Sequence, residues 1–159
     1  MGTDGHELFS GVAFNLSSLG YAVSRGFQAI LVPFELHPRE FAVLRAVGAQ
    51  EGQTQQALAD RLQIPRSRMV SIVDELERRE LVERRPNPAD RRVRELYVSA
   101  AGRKLLDHAF EQVLEYEQHV TGSLSREEYE HLLALLGRIS ADLGIGKGAH
   151  AALREPDES

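Results

Sequence analysis

The chain contains no cysteine, which excludes disulfides, thiolate zinc sites and cysteine-based redox sensing. Aromatic residues make up only 6% of its 159 residues, a low share but an ordinary one for a helical protein. No apolar run approaches the length of a membrane span, about 20 residues. Met1–Glu7 shows no basic stretch followed by an apolar one, so no secretory signal is expected and a cytoplasmic protein is the default. Internal repeats, a phosphate-cradling glycine loop and a nucleophile elbow are all missing. The carboxylates are scattered over expected helix exteriors, where solvation explains them better than acid–base work. Catalysis therefore has little to stand on; the expectation is a non-enzyme with no cofactor.

What is present is a 42% hydrophobic content, enough for one core with helical extensions, and an uneven charge. The net charge of −5 argues by itself against nucleic acid. Between Arg61 and Arg94, however, ten arginines stand against six acids, a local charge of +4, and the rest of the chain carries −9. An acidic body with one basic segment suits a protein that presents a single surface to phosphates. A solvated helix of alternating charge explains Glu77 to Glu83 but not the cluster Arg91, Arg92, Arg94.

The segment Thr54–Val98 organises the rest. Ala57, Leu58, Leu62 and Ile64 mark the buried side of a short helix. Met69, Ile72, Val73 and Leu76 recur at steps of three and four and mark one face of a second. Its opposite face carries Arg66, Ser67, Arg68, Val70 and Ser71. Pro65, with fixed φ and no N–H, suits the start of the second helix and stops the first. Two short helices, a tight turn and a polar outer face describe a helix-turn-helix. A hairpin should follow, with strands at Val82–Arg85 and Val93–Val98. Leu96 and Val98 share one side of the second strand, opposite Val93, Glu95 and Tyr97. The linking Pro86–Asp90 is rich in turn formers. Arg84, Arg85, Arg91, Arg92 and Arg94 crowd this hairpin, as a wing that follows a nucleic-acid backbone would require.

The flanks read as long helices. Leu8–Leu31 places Phe9, Val12, Leu16, Leu19, Val23, Phe27, Ile30 and Leu31 at threes and fours, with Gly11, Gly20 and Gly26 weakening it locally. Pro38 starts another helix, with Phe41, Leu44 and Val47 inward, and Thr54 is the expected N-cap of the next. After the wing, Ser99 should cap a helix striped by Leu105, Leu106, Ala109, Phe110, Val113, Leu114 and Val120. Ser125 and Glu128 fit a capping box before a helix whose Leu132, Leu133, Leu135, Leu136, Ile139 and Leu143 cover more than half its circumference. So wide a stripe needs cover on several sides, which a shared dimer body built from the first and last two helices would supply; a monomeric bundle closing on itself is the alternative, and the resemblance given below favours the dimer. The domain expectation is thus residues 1–36 and 99–146 for dimerisation, 37–98 for DNA binding and 147–159 as a flexible tail.

The runs QALADRL, SRMVSIVDELERRELVERRPNPADRRVRELYVS and AAGRKLL, in this order and spacing, resemble the MarR-type winged helix-turn-helix transcriptional regulators. The resemblance implies a mainly α fold: a winged helix-turn-helix with a two-stranded wing, and long N- and C-terminal helices forming a dimerisation body. It further implies a homodimeric DNA-binding regulator, expected to be a repressor that reads a near-palindromic operator. Two positions depart from the pattern. Glu80 stands where the family usually has glycine, and a left-handed cap there costs it about 1 kcal/mol. Val70 and Ser71 stand where the family often has threonine and arginine, which leaves fewer groups to bond bases.

Arg66 and Arg68 are the expected base-edge or phosphate contacts, since arginine can bond guanine O6 and N7 together. Ser67 and Ser71 can bond a phosphate or base, and Val70 can meet a thymine methyl. By resemblance Arg92 enters the minor groove, Asp90 orients it, and Arg91 meets phosphate. The family's usual regulation by a small, often aromatic or phenolic molecule makes Tyr21, Phe27, Phe34 and Phe41 pocket candidates, each also readable as plain core. His108 stands i, i+3 from Glu111 and i, i+4 from Gln112, and His119 and His131 flank a helix break, but no His-x-x-x-His pair exists and no metal site is expected. The alternatives are a metal-responsive regulator of the same fold and a winged-helix module that binds proteins.

Overall fold

The computed structural model describes residues 11–145. The expected start of the first helix at Leu8 and the expected tail at 147–159 lie outside them. Helix α1 (Val12–Leu31) ends in a 3-10 turn at Val32–Phe34, where Pro33 cannot continue the backbone ladder. Glu35 takes a left-handed conformation, φ 53°, and its N–H donates to Val32 O at 2.9 Å, which turns the chain into α2 (Pro38–Ala49). His37 caps α2, its N–H bonded to the Glu40 carboxylate at 2.8 Å.

A two-residue strand β1 (Gln53–Thr54) leads into α3 (Gln55–Leu62), then α4 (Arg66–Arg78), β2 (Val82–Pro86) and β3 (Arg94–Val98). Thr54 Oγ1 accepts the Ala57 N–H at 3.2 Å, the expected N-cap. The sheet is antiparallel in the order β1-β3-β2, with Val82 opposite Val98, Arg84 opposite Leu96 and Gln53 opposite Leu96 on the other side. The expected two-stranded wing thus has a third strand, too short to show alternation in sequence. Helices α5 (Ala100–Thr121) and α6 (Arg126–Asp142) complete the described chain. Ser99 Oγ accepts the Gly102 N–H at 2.9 Å, and the Ser125–Glu128 capping box forms in both directions.

The core lies in the winged lobe. Leu44, Val47, Leu58, Met69, Val73, Leu76, Val82 and Leu96 are essentially sealed from solvent. One expectation fails here: Ala57 is exposed and Ala59 is buried. The short α3, with apolar residues at 57, 58, 59 and 62, admits either rotation by periodicity alone, and packing against its neighbours settles it. The long helices differ sharply from the lobe. Of α1 only Leu31 is buried, of α5 only Gly102 and Ala109, and of α6 nothing. Tyr116 on α5 holds α1 by donating to Val23 O at 3.2 Å, its ring lying over Gly26, where a Cβ would fall 2.0 Å from the hydroxyl oxygen. The apolar stripe read from sequence, including Phe110, Leu114, Val120, Leu132, Leu133 and Leu135, stands open in the single chain.

Candidate nucleic-acid interface and adjoining clefts

The outer face of α4 begins with Arg66, held loosely by Asp60 at 3.9 Å, with both side chains largely exposed. Ser67 and Val70 are exposed, Val70 to 43%, and Arg68 is half-exposed. The Ser71 hydroxyl donates back to Ser67 O at 3.3 Å, which leaves its lone pairs outward. All five expected contacts therefore share one open helix face, while Met69, Ile72, Val73 and Leu76 anchor the opposite face.

The wing tip is organised by Asn87. Its side-chain oxygen accepts the N–H groups of Ala89 at 2.7 Å and Asp90 at 3.1 Å, and its amide bonds the Glu95 carboxylate. Asp90 Oδ1 accepts the backbone N–H of Arg92 at 3.0 Å. The aspartate thus fixes the backbone from which Arg92 projects rather than its guanidinium. Arg91, Arg92 and Arg94 are exposed and make no ion pair with the described residues.

Of the other arginines of the basic segment, Arg61 and Arg84 brace one element against another, while Arg78 and Arg85 pair with near neighbours at the surface. Arg61 donates to Ala46 O at 2.9 Å and Gln53 Oε1 at 3.1 Å. Arg84 bonds Glu77, Asp74 and Gln55, the last at 2.8 Å, joining β2 to α3 and α4. Arg78 is paired with Glu75, and Arg85 lies 4.5 Å above the Tyr97 ring while bonding Glu83. The Tyr97 hydroxyl donates to Glu95 at 2.9 Å, and that bond to a carboxylate pushes its pKa above the ordinary value. The partners of Arg61 and Arg84 lie across elements, so charge counting along the chain did not reveal them.

Two open clefts, about 440 and 490 Å³, adjoin one another behind the lobe and share Pro33, Phe34 and His108. The first is completed by Ala29, Ile30, Glu111 and Gln112, the second by residues that include Arg79, Ala101 and Lys104. His108, Glu111 and Gln112, weighed from sequence only as metal ligands, thus form a cleft wall; among the described residues no three of His, Asp and Glu gather as a metal site. Of the aromatic pocket candidates, only Phe34 lines these clefts. Phe27 and the buried Phe41 pack edge to face at 5.8 Å in the core, and Tyr21 stands exposed beside Arg25. The packing of Phe27 and Phe41 in and against the core explains why ring-bearing residues on an apolar helix face did not single out a pocket.

The MarR family model matches residues 34–93, the lobe just described. PecS of Dickeya dadantii, an HTH-type transcriptional regulator, is 30% identical over 131 residues, 80% of this chain and 79% of that protein. The chain belongs to the MarR family. Among solved structures, the transcriptional repressor CouR bound to a 23-mer DNA duplex superposes with a TM-score of 0.76 at 30% identity, covering 88% of this chain and 99% of that one. CouR of Rhodococcus jostii RHA1 bound to p-coumaroyl-CoA gives a TM-score of 0.70 at 31% identity, covering 81% and 91%. This chain is thus a DNA-binding transcriptional regulator with a MarR winged-helix fold. No described helix is long and apolar enough to cross a membrane.

Proposed function

We infer that this regulator is a homodimeric, cytoplasmic repressor without enzymatic activity, released from a near-palindromic operator by a small aromatic or phenolic effector. The open face of α4 carries the reading: Arg66, Ser67, Arg68, Val70 and Ser71 all point away from the core, with the exposed Arg91 and Arg92 at the wing tip. Each α4 enters a major groove, where its arginines bond base edges or phosphates. Arg92 reaches the minor groove and Arg91 a phosphate. Dimerisation is supported by the uncovered apolar stripes of α1, α5 and α6, which a second copy of the same chain would bury as a continuous helical body. Repression is supported by the description of CouR as a repressor, and an aromatic effector by its complex with p-coumaroyl-CoA. Phe34 is the aromatic residue best placed to meet such a ligand, at the junction of the two clefts.

The test is fluorescence anisotropy with duplexes tiling the DNA upstream of the protein's own gene, against unrelated DNA of equal length. Binding of two protomers to one tile, at least about a hundredfold tighter than to unrelated DNA, is expected. Equal affinity for every tile would end the operator reading, and a second copy absent from the complex would end the dimer. The metal-responsive and protein-binding alternatives gain no observation from the geometry.

A further inference from the structure

The wing holds five arginines, Arg84, Arg85, Arg91, Arg92 and Arg94, and one acid on its third strand, Glu95. Among the described residues Glu95 forms an ion pair with none of these arginines. Its two carboxylate oxygens take neutral donors instead: the Asn87 amide bonds Oε1, and the Tyr97 hydroxyl donates to Oε2 at 2.9 Å. Glu95 lies on β3, the middle strand, with Thr54 opposite on one side and Arg85 on the other, so its backbone is held from both edges. Arg85 covers the Tyr97 ring from 4.5 Å and is itself held by Glu83 at 2.9 Å. A carboxylate that stands among exposed arginines yet is bonded elsewhere has a geometric use rather than a neutralising one.

That use follows from what Asn87 must do. Its amide has an accepting end and a donating end, and the loop needs the accepting one: Oδ1 takes the N–H groups of Ala89 at 2.7 Å and Asp90 at 3.1 Å. An ionised carboxylate only accepts, so Glu95 engages the NH2 end and turns the oxygen towards the loop. The Asn87 backbone closes the same loop, its N–H bonded to Val93 O at 2.9 Å. Asp90, held in turn by Asn87, accepts the Arg92 N–H at 3.0 Å. We propose that Glu95 is a positioning residue for DNA binding: through Asn87 it sets the wing-tip conformation from which Arg92 projects towards the minor groove. The inference rests on the wing reading given above. It carries a sign that charge alone reverses. A carboxylate close to phosphates repels them, so electrostatics predicts tighter binding once Glu95 is removed. Positioning predicts weaker binding, because an arginine on a loosened loop must be ordered at the moment of insertion, at an entropic cost.

Four variants separate the two signs. Glu95→Ala removes both anchor and charge. Glu95→Gln removes the charge but keeps an oxygen for the Asn87 amide. Asn87→Asp sets two carboxylates face to face. Asn87→Asp combined with Glu95→Ala keeps the wild-type net charge, and its new carboxylate offers the loop an acceptor whichever way it turns, through charge-assisted bonds. Two readouts are taken: NMR order parameters of the Ala89, Asp90 and Arg92 amides in the DNA-free protein, and affinity for the tightest-binding upstream tile with A·T or G·C pairs beneath the wing. Glu95→Ala is expected to lower the order parameters from about 0.85 towards about 0.6. It should weaken binding by about fivefold or more, the scale of one hydrogen bond to a charged group, and shrink the preference for A·T, which a merely stabilising residue would not alter. Glu95→Gln should keep the tip rigid and bind at least as tightly as wild type. Asn87→Asp alone should loosen the tip and weaken binding, and the double variant should restore both. Tighter or unchanged binding by Glu95→Ala, or a wing tip that stays rigid in it, overturns the proposal. The order parameters decide whether Glu95 sets the tip without recourse to DNA, so a wild-type chain with no A·T preference would count against the minor-groove reading separately.

Discussion

Glu80 offers a quantitative check on how α4 ends. Its φ is +58°, the left-handed region, where the Cβ of an L-residue crowds its own carbonyl. The conformation is imposed from both sides: the Glu80 N–H donates to Glu77 O at 2.9 Å, and its carbonyl accepts the Ser99 hydroxyl. Glu80→Gly removes a steric cost of about 1–2 kcal/mol. The greater freedom of glycine in the unfolded chain offsets about 0.4–1 kcal/mol of that. The net expectation is a gain of about 0.5–1 kcal/mol, or about 1–4 °C in Tm for a chain of this length. Glu80→Ala removes the same carboxylate but keeps the Cβ, so it should change stability by less than about 0.5 kcal/mol. Urea unfolding and calorimetry of the three proteins at one fixed protein concentration make the comparison, since association shifts apparent stability. Equal shifts for the glycine and alanine variants would mean that charge, not backbone geometry, governs the site, and the strain argument would be refuted.

Three further expectations concern the wing, the helical body and the junction between them. Arg92→Ala should leave Tm nearly unchanged, because the side chain is exposed and makes no ion pair with the described residues; operator affinity should nonetheless fall, with the slope of log affinity against log salt flattened by about 0.9 for each phosphate no longer neutralised. An unchanged slope would move the wing's phosphate-binding role to Arg91 or Arg94. Leu133→Glu alters a side chain 52% exposed in the single chain, so helix content by circular dichroism should survive while light scattering shows dissociation to monomers; a persisting dimer would place the interface elsewhere. Gly102→Ala would set a Cβ 2.1 Å from Leu81 O, an oxygen already fixed by the Ser99 N–H at 3.0 Å, and overpacking of that kind costs about 1–3 kcal/mol, against about 1 kcal/mol gained in helix propensity. A rise in Tm for this variant would mean that α5 and the lobe are not in rigid contact.

The parts of the fold legible in the sequence were those with local causes. Thr54, Ser99 and Ser125 are caps because a hydroxyl bonds an N–H three residues on, a relation contained within one turn. The helix faces of α4 and the order of the wing strands followed from periodicity, and the left-handed Glu80 from the resemblance to a pattern with glycine. What was hidden depended on long-range contact. Strand β1 exists only because Gln53 and Thr54 meet Leu96 and Glu95. The burial of Ala59 instead of Ala57 depends on how α3 is rotated against its neighbours. The basic segment was visible as charge, but its division into braces and outward-facing cations was not: Arg61, Arg79 and Arg84 find partners 15, 45 and 29 positions away. The clefts were equally hidden, since their walls come from α1, the turn after it and α5.

The knot at Arg84 fixes a length as well as a shape. Its guanidinium ties β2 to Gln55 at the start of α3 and to Asp74 and Glu77 within α4. The helix proposed for a major groove and the hairpin proposed for the neighbouring minor groove are thus held like the two jaws of a calliper with a locked screw. Such a tool measures the duplex as well as reading it. A sequence whose grooves already match the fixed opening is gripped without deformation, while a stiff tract of the wrong width must be bent at a cost that grows with its rigidity. Base pairs lying between the jaws, touched by neither, would then contribute to operator choice through the width they impose.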